Sequence, residues 1–387
     1  MPTLSDYVII DNETLSNIAT TLKNKLELSS IIPTEFASKI EQIMDANQLL
    51  SYANTVSNLD LDMLGISKIA GGVFTVRDNI LQINGSTINI VGDYAFSGCS
   101  NLSSISLPNC SYIGNNAFQD CSNLSSISIP NCSYLGGSAF DYCYSLSSIS
   151  MPNCSYIGGY AFYYCSNLSS ISIPNCSYIG SYAFAYCSKL SSISISNCSY
   201  IGSSAFYRCS SLSSISISNC SYIGSSAFRD CYNLSSISLP NCSYIGSSAF
   251  YYCSNISYIS LPNCSYIGSS AFFGCSNLSS ISLPNCSYIG GYAFYYCSNL
   301  SYIYIPNCSY IGSSAFYSCS KLSAIYALST SIPTLSNSNA FYSTPLSLST
   351  YLGYYGSIYV LSSLVDSFKT ATNWSKYSAR ITAYTGT

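Results

Sequence analysis

The cysteines are the residues of this sequence whose type and spacing could do chemistry. All 21 fall into two series whose members are 22 residues apart, and the second series is offset from the first by 11 residues. The first cysteine series is Cys99, Cys121, Cys143, Cys165, Cys187, Cys209, Cys231, Cys253, Cys275, Cys297 and Cys319. The second cysteine series is Cys110, Cys132, Cys154, Cys176, Cys198, Cys220, Cys242, Cys264, Cys286 and Cys308. Thiols in such numbers could form disulfide bonds, bind metal ions or act as nucleophiles.

This spacing favours a buried ladder of reduced thiols over a disulfide framework or a metal array. Equivalent cysteines on stacked coils would lie about 4.8 Å apart with parallel side chains, whereas a disulfide requires converging Cβ atoms about 3.8 Å apart. The sequence has no histidine, and none of its cysteines are as close together as in the C-x-x-C pattern of metal sites. We therefore expect no metal and no cofactor, and folding in a reducing cytoplasm.

Charged side chains are too sparse in the repeat to indicate an enzyme. Charged residues make up 7% of the chain, and without histidine a serine or cysteine nucleophile lacks its commonest base. Those between Cys99 and Cys319 are Asp120, Asp141, Lys189, Arg208, Arg229 and Asp230. We interpret all six as solvated surface residues, and we expect the protein not to be an enzyme.

Composition and hydropathy limit the classes of partner that the protein is expected to bind. The net charge is -3, so the chain lacks the basic surface that binds a nucleic-acid backbone, and no nucleic-acid partner is expected. No stretch approaches the ~18 consecutive apolar residues of a membrane span, so no membrane insertion is expected. The N-terminal residues also lack the pattern of a secretory signal peptide.

The elements that position the cysteines follow from the 22-residue period, which is typical of a solenoid whose coils bury their apolar residues by stacking. Residues 102–110 have the pattern L-x-x-L-x-L-x-x-C of a leucine-rich repeat. The other half of each coil reads YIGxxAFxxC, in which Gly114 is expected to supply an unusual backbone angle. The tyrosines of this half, from Tyr112 onward, are expected to stack as a half-buried ladder.

These motifs resemble the BspA-like leucine-rich-repeat family, whose signature runs approximately IGxxAFxxCxxLxxIxLP. Eleven successive units carry the match, across residues 90–328. The resemblance implies a mainly β repeat solenoid, a right-handed coil of about eleven 22-residue units, and a role in binding or adhesion.

Both ends of the chain differ from the repeat. Residues 11–27 and 33–50 have helical periodicity and predict an N-terminal helical hairpin. The phrase LSNIATTLKNKLELSSIIPTEFASKIEQI resembles a helical module of bacteriophage tail and other structural proteins, which implies that residues 1–65 attach to other virion proteins. The alternative is an ordinary amphipathic N-terminal cap.

The remaining boundaries follow from where the repeat starts and decays. Residues 66–90 are predicted to be a short β lead-in with a turn at Asn84 and Gly85, and residues 91–328 the solenoid. Residues 329–387 are predicted to be a degenerate repeat followed by a C-terminal strand-helix cap. In that cap the helix would be capped near Ser362 and would bury Leu364, Val365, Phe368, Trp374 and Tyr377.

Two surfaces are candidates for binding. The first is the strand face, where serines recur and Tyr258, Tyr302 and Tyr304 break the pattern; its alternative interpretation is a solvated sheet face. The second, the turn edge, consists of the two positions before each cysteine of the first series, which vary between coils and are expected to be largely exposed. Its candidate binding residues are Tyr163, Tyr164, Tyr186, Tyr207, Arg208, Tyr251, Tyr252, Tyr295 and Tyr296. Exposed tyrosine and arginine are typical of protein interfaces, tyrosines also stack on sugars, and the alternative is neutral drift.

Together these features predict a non-enzymatic binding protein of a phage virion, associated with the tail or fibre. It would fold in the cytoplasm, function outside the cell and contact a glycan or protein of the host cell surface through the solenoid. One alternative is a BspA-like adhesin on a bacterial cell surface, and another is a structural spacer or filament subunit. Homo-oligomerisation is left open.

Overall fold

A computed structural model describes residues 56–62, 66–347 and 356–386. The predicted helical hairpin and most of the predicted attachment region therefore lie outside the described residues. The chain divides into two compact units, Met1–Cys176 and Ser177–Thr387. The described residues of each unit form a mainly β solenoid whose neighbouring strands pair in parallel, as the leucine-rich-repeat pattern predicts.

Each coil contributes a three-residue strand, because an isoleucine that points into the core alternates with outward serines. In the first unit these strands are Asn58–Asp60, Gln82–Asn84, Ser104–Ser106, Ser126–Ser128, Ser148–Ser150 and Ser170–Ser172. In the second unit they are Ser192–Ser194, Ser214–Ser216, Ser236–Ser238, Tyr258–Ser260, Ser280–Ser282 and Tyr302–Tyr304, followed by Ala324–Ala327, Ser357–Val360 and Ile381–Ala383. Their outward side is the strand face.

Each coil also contributes a two-residue strand from its other half. In the first unit these strands are Lys68–Ile69, Ile90–Val91, Tyr112–Ile113, Tyr134–Leu135 and Tyr156–Ile157. In the second unit they are Tyr178–Ile179, Tyr200–Ile201, Tyr222–Ile223, Tyr244–Ile245, Tyr266–Ile267, Tyr288–Ile289, Tyr310–Ile311 and Thr334–Leu335. The tyrosines that begin them form the tyrosine ladder, in which Tyr222 pairs with Tyr244 at 22-residue register and their rings stack 4.8 Å apart. The predicted ladder is confirmed.

The polar residues of the repeat join one coil to the next. The Ser213 hydroxyl donates to the Ser191 carbonyl at 3.1 Å, and the Ser243 hydroxyl donates to the Ser221 carbonyl at 3.2 Å. The Asn241 amide donates to the carbonyl of Ser218, at a position where most coils have proline. Since the acceptors are main-chain carbonyls, the neighbouring coil can change its side chain without loss of these bonds.

The core is built from the same positions in every coil. Leu102, Ile105, Ala117, Phe118 and the cysteines are at most 2% exposed. The phenylalanines form an internal stack, in which the rings of Phe118 and Phe140 lie 5.4 Å apart. This apolar interior is the burial that lets coils too small to fold alone stabilise one another.

The solenoid extends beyond the cysteine-bearing region. Gln82–Asn84 pairs in parallel with both Asn58–Asp60 and Ser104–Ser106, so the turn predicted at Asn84 and Gly85 does not form a hairpin. Residues 66–90 form coils of the solenoid, and the prediction of a separate β lead-in is wrong in that respect. The described residues contain about 14 turns, more than the eleven expected from the cysteine-bearing repeat, because the outer turns lack cysteine.

The glycine of the YIG motif has a different role from the predicted one. Gly224 does not have a positive φ; a Cβ there would lie 2.6 Å from the carbonyl carbon of Gly202 in the preceding coil. At Gly114, the position used for the prediction, a Cβ would lie 2.7 Å from the backbone nitrogen of Asp93. Glycine is therefore required because the coils approach closely here, and the left-handed angles occur at other residues.

The C-terminal residues close the second unit. Ser357–Val360 is followed by a 3-10 helix at Ser362–Leu364, an α-helix at Val365–Thr370, a second 3-10 helix at Trp374–Arg380 and the strand Ile381–Ala383. The N-cap residue of the first 3-10 helix is Leu361, which makes no side-chain capping hydrogen bond, so the predicted cap at Ser362 is wrong. Phe368, Trp374 and Tyr377 are buried as predicted. Leu364 and Val365 are only half-buried, contrary to the prediction. Trp374 packs 5.9 Å from Phe341, the terminal ring of the phenylalanine stack.

Candidate binding surfaces

The turn edge has a left-handed backbone. The residue immediately before each cysteine of the first series has a positive φ, for example 56° at Tyr164, 55° at Tyr252 and 60° at Tyr296. Gly274 occupies the same position with φ of 72°. A left-handed residue in each coil turns the chain sharply, so the two side chains of the pair leave the backbone in different directions.

The position before that residue forms an aromatic column in the second unit. The rings of Tyr251, Phe273, Tyr295, Tyr317 and Tyr342 stack in succession, with centroids 4.7, 4.9, 4.7 and 5.1 Å apart. These five residues are called the aromatic stripe. The predicted turn edge included Phe273 and Tyr317, but the candidate binding residues named only Tyr251 and Tyr295. Tyr342, which has the same position of the coil beyond the last cysteine, was missed.

A cation lies at each end of the aromatic stripe. The Arg229 guanidinium lies 4.6 Å from the centroid of the Tyr251 ring, and the Lys376 ammonium lies 6.0 Å from that of Tyr342. Both distances are within the range of cation–π attraction. The stripe is therefore a defined unit with two cationic ends, which the sequence positions alone did not indicate.

Two predicted tyrosines stand edge-on against the stripe. Tyr252 is 43% exposed and its ring lies 4.7 Å from Tyr251 at 83°, while Tyr296 is 50% exposed and lies 4.6 Å from Tyr295 at 88°. Tyr251 and Tyr295 themselves are only half-buried. The result is a continuous aromatic surface whose rings hold one another in place.

The other predicted edge residues form two smaller groups. In the first unit, Tyr163 and Tyr164 are half-buried and lie 4.8 Å apart in an edge-to-face arrangement. In the second unit, Tyr186 and Tyr207 lie 5.2 Å apart, with the exposed Arg208 guanidinium 5.4 Å from the Tyr207 ring. The expectation that the edge is largely exposed is therefore wrong for most of its tyrosines, because adjacent rings cover one another.

Two edge carboxylates that we expected to be solvated are buried. Asp230 is 5% exposed and its Oδ2 lies 3.4 Å from Arg208 Nε and 3.9 Å from Arg229 Nε. Asp141 is 6% exposed and accepts a hydrogen bond from Gln119 at 3.4 Å. Side chains at this edge are covered by coils on both sides, which explains the burial. Because of that burial, and secondly the nearby charge of Asp120, the pKa of Asp141 is raised to about 7.

Two of the three tyrosines predicted on the strand face are exposed. Tyr258 is 59% exposed and Tyr302 is 44% exposed. Tyr304 is half-buried, and its ring lies 6.5 Å from that of Tyr326. Tyr258 and Tyr302 border the same cavity, whereas the remaining strand-face residues at equivalent positions are mostly serines.

The cysteines lie inside the coils. None of the 21 is in a disulfide bond and all are buried, which confirms the predicted thiol ladder. The Cys253 thiol donates to the Phe228 carbonyl of the preceding coil, and the Cys242 thiol donates to the Tyr244 carbonyl of its own coil. Burial raises the pKa of Cys242 to about 11, so its thiol is protonated at neutral pH.

Some negative findings apply to the described residues alone. Within residues 56–62, 66–347 and 356–386, no group of three or more cysteine and carboxylate side chains could hold a metal ion. In the same part of the chain, no helix has the length and hydropathy that a membrane span requires. The expected lack of enzymatic activity, metal and cofactor stays a prediction.

Comparison with known families agrees with this geometry. A model described as a BspA type leucine-rich repeat region matches residues 67–176, 133–257 and 243–358. The chain belongs to the BspA-type leucine-rich repeat family. The matched residues contain both the strand face and the turn edge, so the resemblance noted for the repeat is confirmed for the repeat core of this BspA-type protein.

Solved structures with the same repeat are similar to this chain. A leucine-rich repeat protein of Bacteroides ovatus is 27% identical, covering 68% of this chain and 79% of that one, with a TM-score of 0.52. A leucine rich cell surface protein of Faecalibacterium prausnitzii is 25% identical, covering 69% and 84%, with a TM-score of 0.41. A leucine-rich repeat protein of Eubacterium ventriosum is 19% identical, covering 78% and 87%, with a TM-score of 0.44. A search of curated proteins gave no match.

Proposed function

We propose that this protein is a non-enzymatic adhesion protein that binds a protein at a bacterial cell surface through the aromatic stripe and the two tyrosines beside it. The observation that carries the proposal is the exposure of Tyr252 and Tyr296 against five stacked rings. Tyrosine rings held by neighbours lose little conformational entropy on binding, so a stripe of them is preorganised for contact.

The chemistry of the stripe suits a protein partner. Tyrosine and arginine are the residues most enriched at the energetic centres of protein interfaces, and Arg229 lies at the first ring of the stripe. The tyrosine hydroxyls and the two cationic ends of the stripe would provide hydrogen bonds and charge around an aromatic centre. Membership of the BspA-type family also supports an extracellular role, since these proteins are usually found at the cell surface or outside the cell.

The phage-virion hypothesis stays a prediction. It depends on attachment through residues 1–65, of which the structure describes residues 56–62. The strand in that segment pairs with Gln82–Asn84 and belongs to the solenoid. Adhesion to a cell surface is the role that the described residues support.

The test measures binding of the fluorescently labelled full chain to intact bacterial cells. The double variant Tyr252→Ser and Tyr296→Ser uses a residue that Ser318 already provides at this position in another coil, so the fold should persist. We expect saturable binding that weakens at least about tenfold in the double variant, since two interface tyrosines typically contribute more than 1 kcal/mol each.

The control is Tyr144→Ser, because Tyr144 is 42% exposed and lies in the first unit, whereas the stripe lies in the second, and because most coils have serine at its position. The control variant should bind cells as tightly as the unsubstituted protein does. Unchanged binding of the double variant would refute the role of the stripe. If the unsubstituted protein bound no cells across a broad panel, a structural spacer would be the better description.

A further inference from the structure

A second site lies on the strand face, away from the aromatic stripe. Ser280 is the parallel-strand partner of Tyr302, and Tyr258 occupies the same position one coil before Ser280. The three side chains border a cavity of about 200 Å³. Serine at the middle coil therefore leaves a gap between two exposed tyrosines.

The gap has the width of one ring. Where tyrosines occupy the same position on successive coils, as at Tyr244 and Tyr266, their rings stack 4.8 Å apart. Tyr258 and Tyr302 are two coils apart, so their rings are separated by roughly 10 Å at the usual strand spacing. A six-membered ring placed over Ser280 would thus contact both tyrosines at stacking distance.

The lining of the gap selects the kind of ring. Besides Tyr258, Ser280 and Tyr302, its lining consists of the polar residues Ser260 and Ser282 and the apolar residues Ile259, Leu261, Pro262, Ile281 and Pro284. No charged side chain borders the cavity among the described residues. The site therefore offers aromatic walls for an apolar face and hydroxyls for a polar rim, without a counter-charge for an ionic ligand.

We propose that the gap between Tyr258 and Tyr302 binds a neutral pyranose residue of a glycan. A pyranose has C–H groups on its ring faces and hydroxyl groups around its rim, which matches tyrosine walls and serine hydroxyls. An aromatic ring would stack equally well but would form no hydrogen bonds with the serine hydroxyls, and this difference favours the sugar. Because the cavity is open and small, binding of one residue is weak, with a Kd of about 1 mM, and a repeating glycan would gain from several contacts.

This proposal goes beyond the adhesion proposed for the aromatic stripe, and the two can fail separately. Variants at Tyr252 and Tyr296 should keep sugar binding, because neither residue borders the cavity. Substitutions in the gap should in turn leave the contacts of the aromatic stripe intact.

The experiment is saturation-transfer NMR on the full chain with methyl glycosides of glucose, galactose and mannose as probes. The decisive variant is Ser280→Tyr, which fills the gap with the protein's own ring; we expect loss of the saturation-transfer signal. Ser236→Tyr is the matched control, since Ser236 pairs with Tyr258 on the side away from the gap, and it should retain the signal. Tyr258→Ser and Tyr302→Ser restore the residue of most coils and should each weaken binding at least about fivefold.

Retention of the signal in Ser280→Tyr would overturn the proposal, and so would absence of binding for all three glycosides. Saturation of the same site by phenylalanine amide but not by glycosides would also overturn it, because the ligand class would then be an aromatic side chain. Circular dichroism of each variant shows whether the fold persists, and the Tyr258→Ser variant keeps the test valid if Ser280→Tyr fails to fold.

Discussion

The tyrosine ladder and the turn edge of the second unit are both columns of aromatic rings, but only the ladder is uniform. From Tyr178 to Tyr310 the ladder rings lie 4.7–4.9 Å apart with interplanar angles of 1–4°. The turn edge reaches the same spacing from Tyr251 onward, yet the same column contains Ala185 and Arg229. Ring spacing is thus a property of the coil, whereas uniformity distinguishes a structural column from one free to acquire a binding role.

A substitution that disturbs the spacing between coils should affect both aromatic columns and should have the largest effect on stability. Gly290→Ala would place a Cβ 2.5 Å from the backbone nitrogen of Ser269, whereas Gly291→Ala would meet Ser313 O at 3.3 Å. We expect Gly290→Ala to lower the free energy of unfolding by about 3 kcal/mol, because neither backbone can move away. Urea denaturation measures this difference, with Gly291→Ala as the adjacent control. Equal costs at the two positions would contradict a requirement for close approach of the coils.

Removal of one ring from the tyrosine ladder and of one ring from the turn edge should separate effects on stability from effects on binding. Tyr244 stacks on Tyr222 and Tyr266, so Tyr244→Ser should cost about 2 kcal/mol of unfolding free energy through two lost ring pairs. Tyr252→Ser should cost about 0.5 kcal/mol, because serine is compatible with this exposed position. Cell binding, in contrast, should weaken more in Tyr252→Ser than in Tyr244→Ser. If the ladder variant weakened cell binding more than Tyr252→Ser, the assignment of roles to the two columns would be reversed.

A buried carboxyl at the turn edge of the first unit should make stability depend on pH. The pKa of Asp141 is raised from 3.8 to about 7 by burial. The raised pKa means that the folded protein favours the protonated carboxyl of Asp141. The free energy of unfolding is therefore higher in acid, and this stabilisation is lost as pH rises through about 7. Urea midpoints between about pH 5 and pH 8 should therefore fall for the unsubstituted protein relative to Asp141→Asn. Parallel pH profiles for the two proteins would show that the carboxyl is ionised without cost.

The smallest expected difference is between thiols of the two cysteine series. Burial raises the pKa of Cys242, which precedes the ladder residue Tyr244, to about 11. The pKa of Cys253, which follows the turn edge, is raised well above its ordinary value by burial and secondly by the neighbouring Cys275 thiol. In iodoacetamide labelling at about pH 10, mass spectrometry should find more modification at Cys242, since only the thiolate reacts. Greater modification of Cys253 would contradict this order.

The sequence by itself determined the repeat architecture, because a 22-residue period of apolar positions can bury its core only by stacking coils. It also determined the thiol ladder and the tyrosine ladder, since residues repeated at one coil position lie in register. The family resemblance and the two candidate surfaces followed from the same comparison between coils.

Only the tertiary structure decided what lies between coils. Three features depend on residues 22 or more positions apart or on the left-handed backbone. They are the close approach at Gly224, the burial of Asp141 and Asp230, and the cations at the two ends of the aromatic stripe. The gap between Tyr258 and Tyr302 likewise requires knowledge of which side chains share a face. Such contacts depend on the distance and angle between neighbouring coils, and a linear pattern of residue types contains neither quantity.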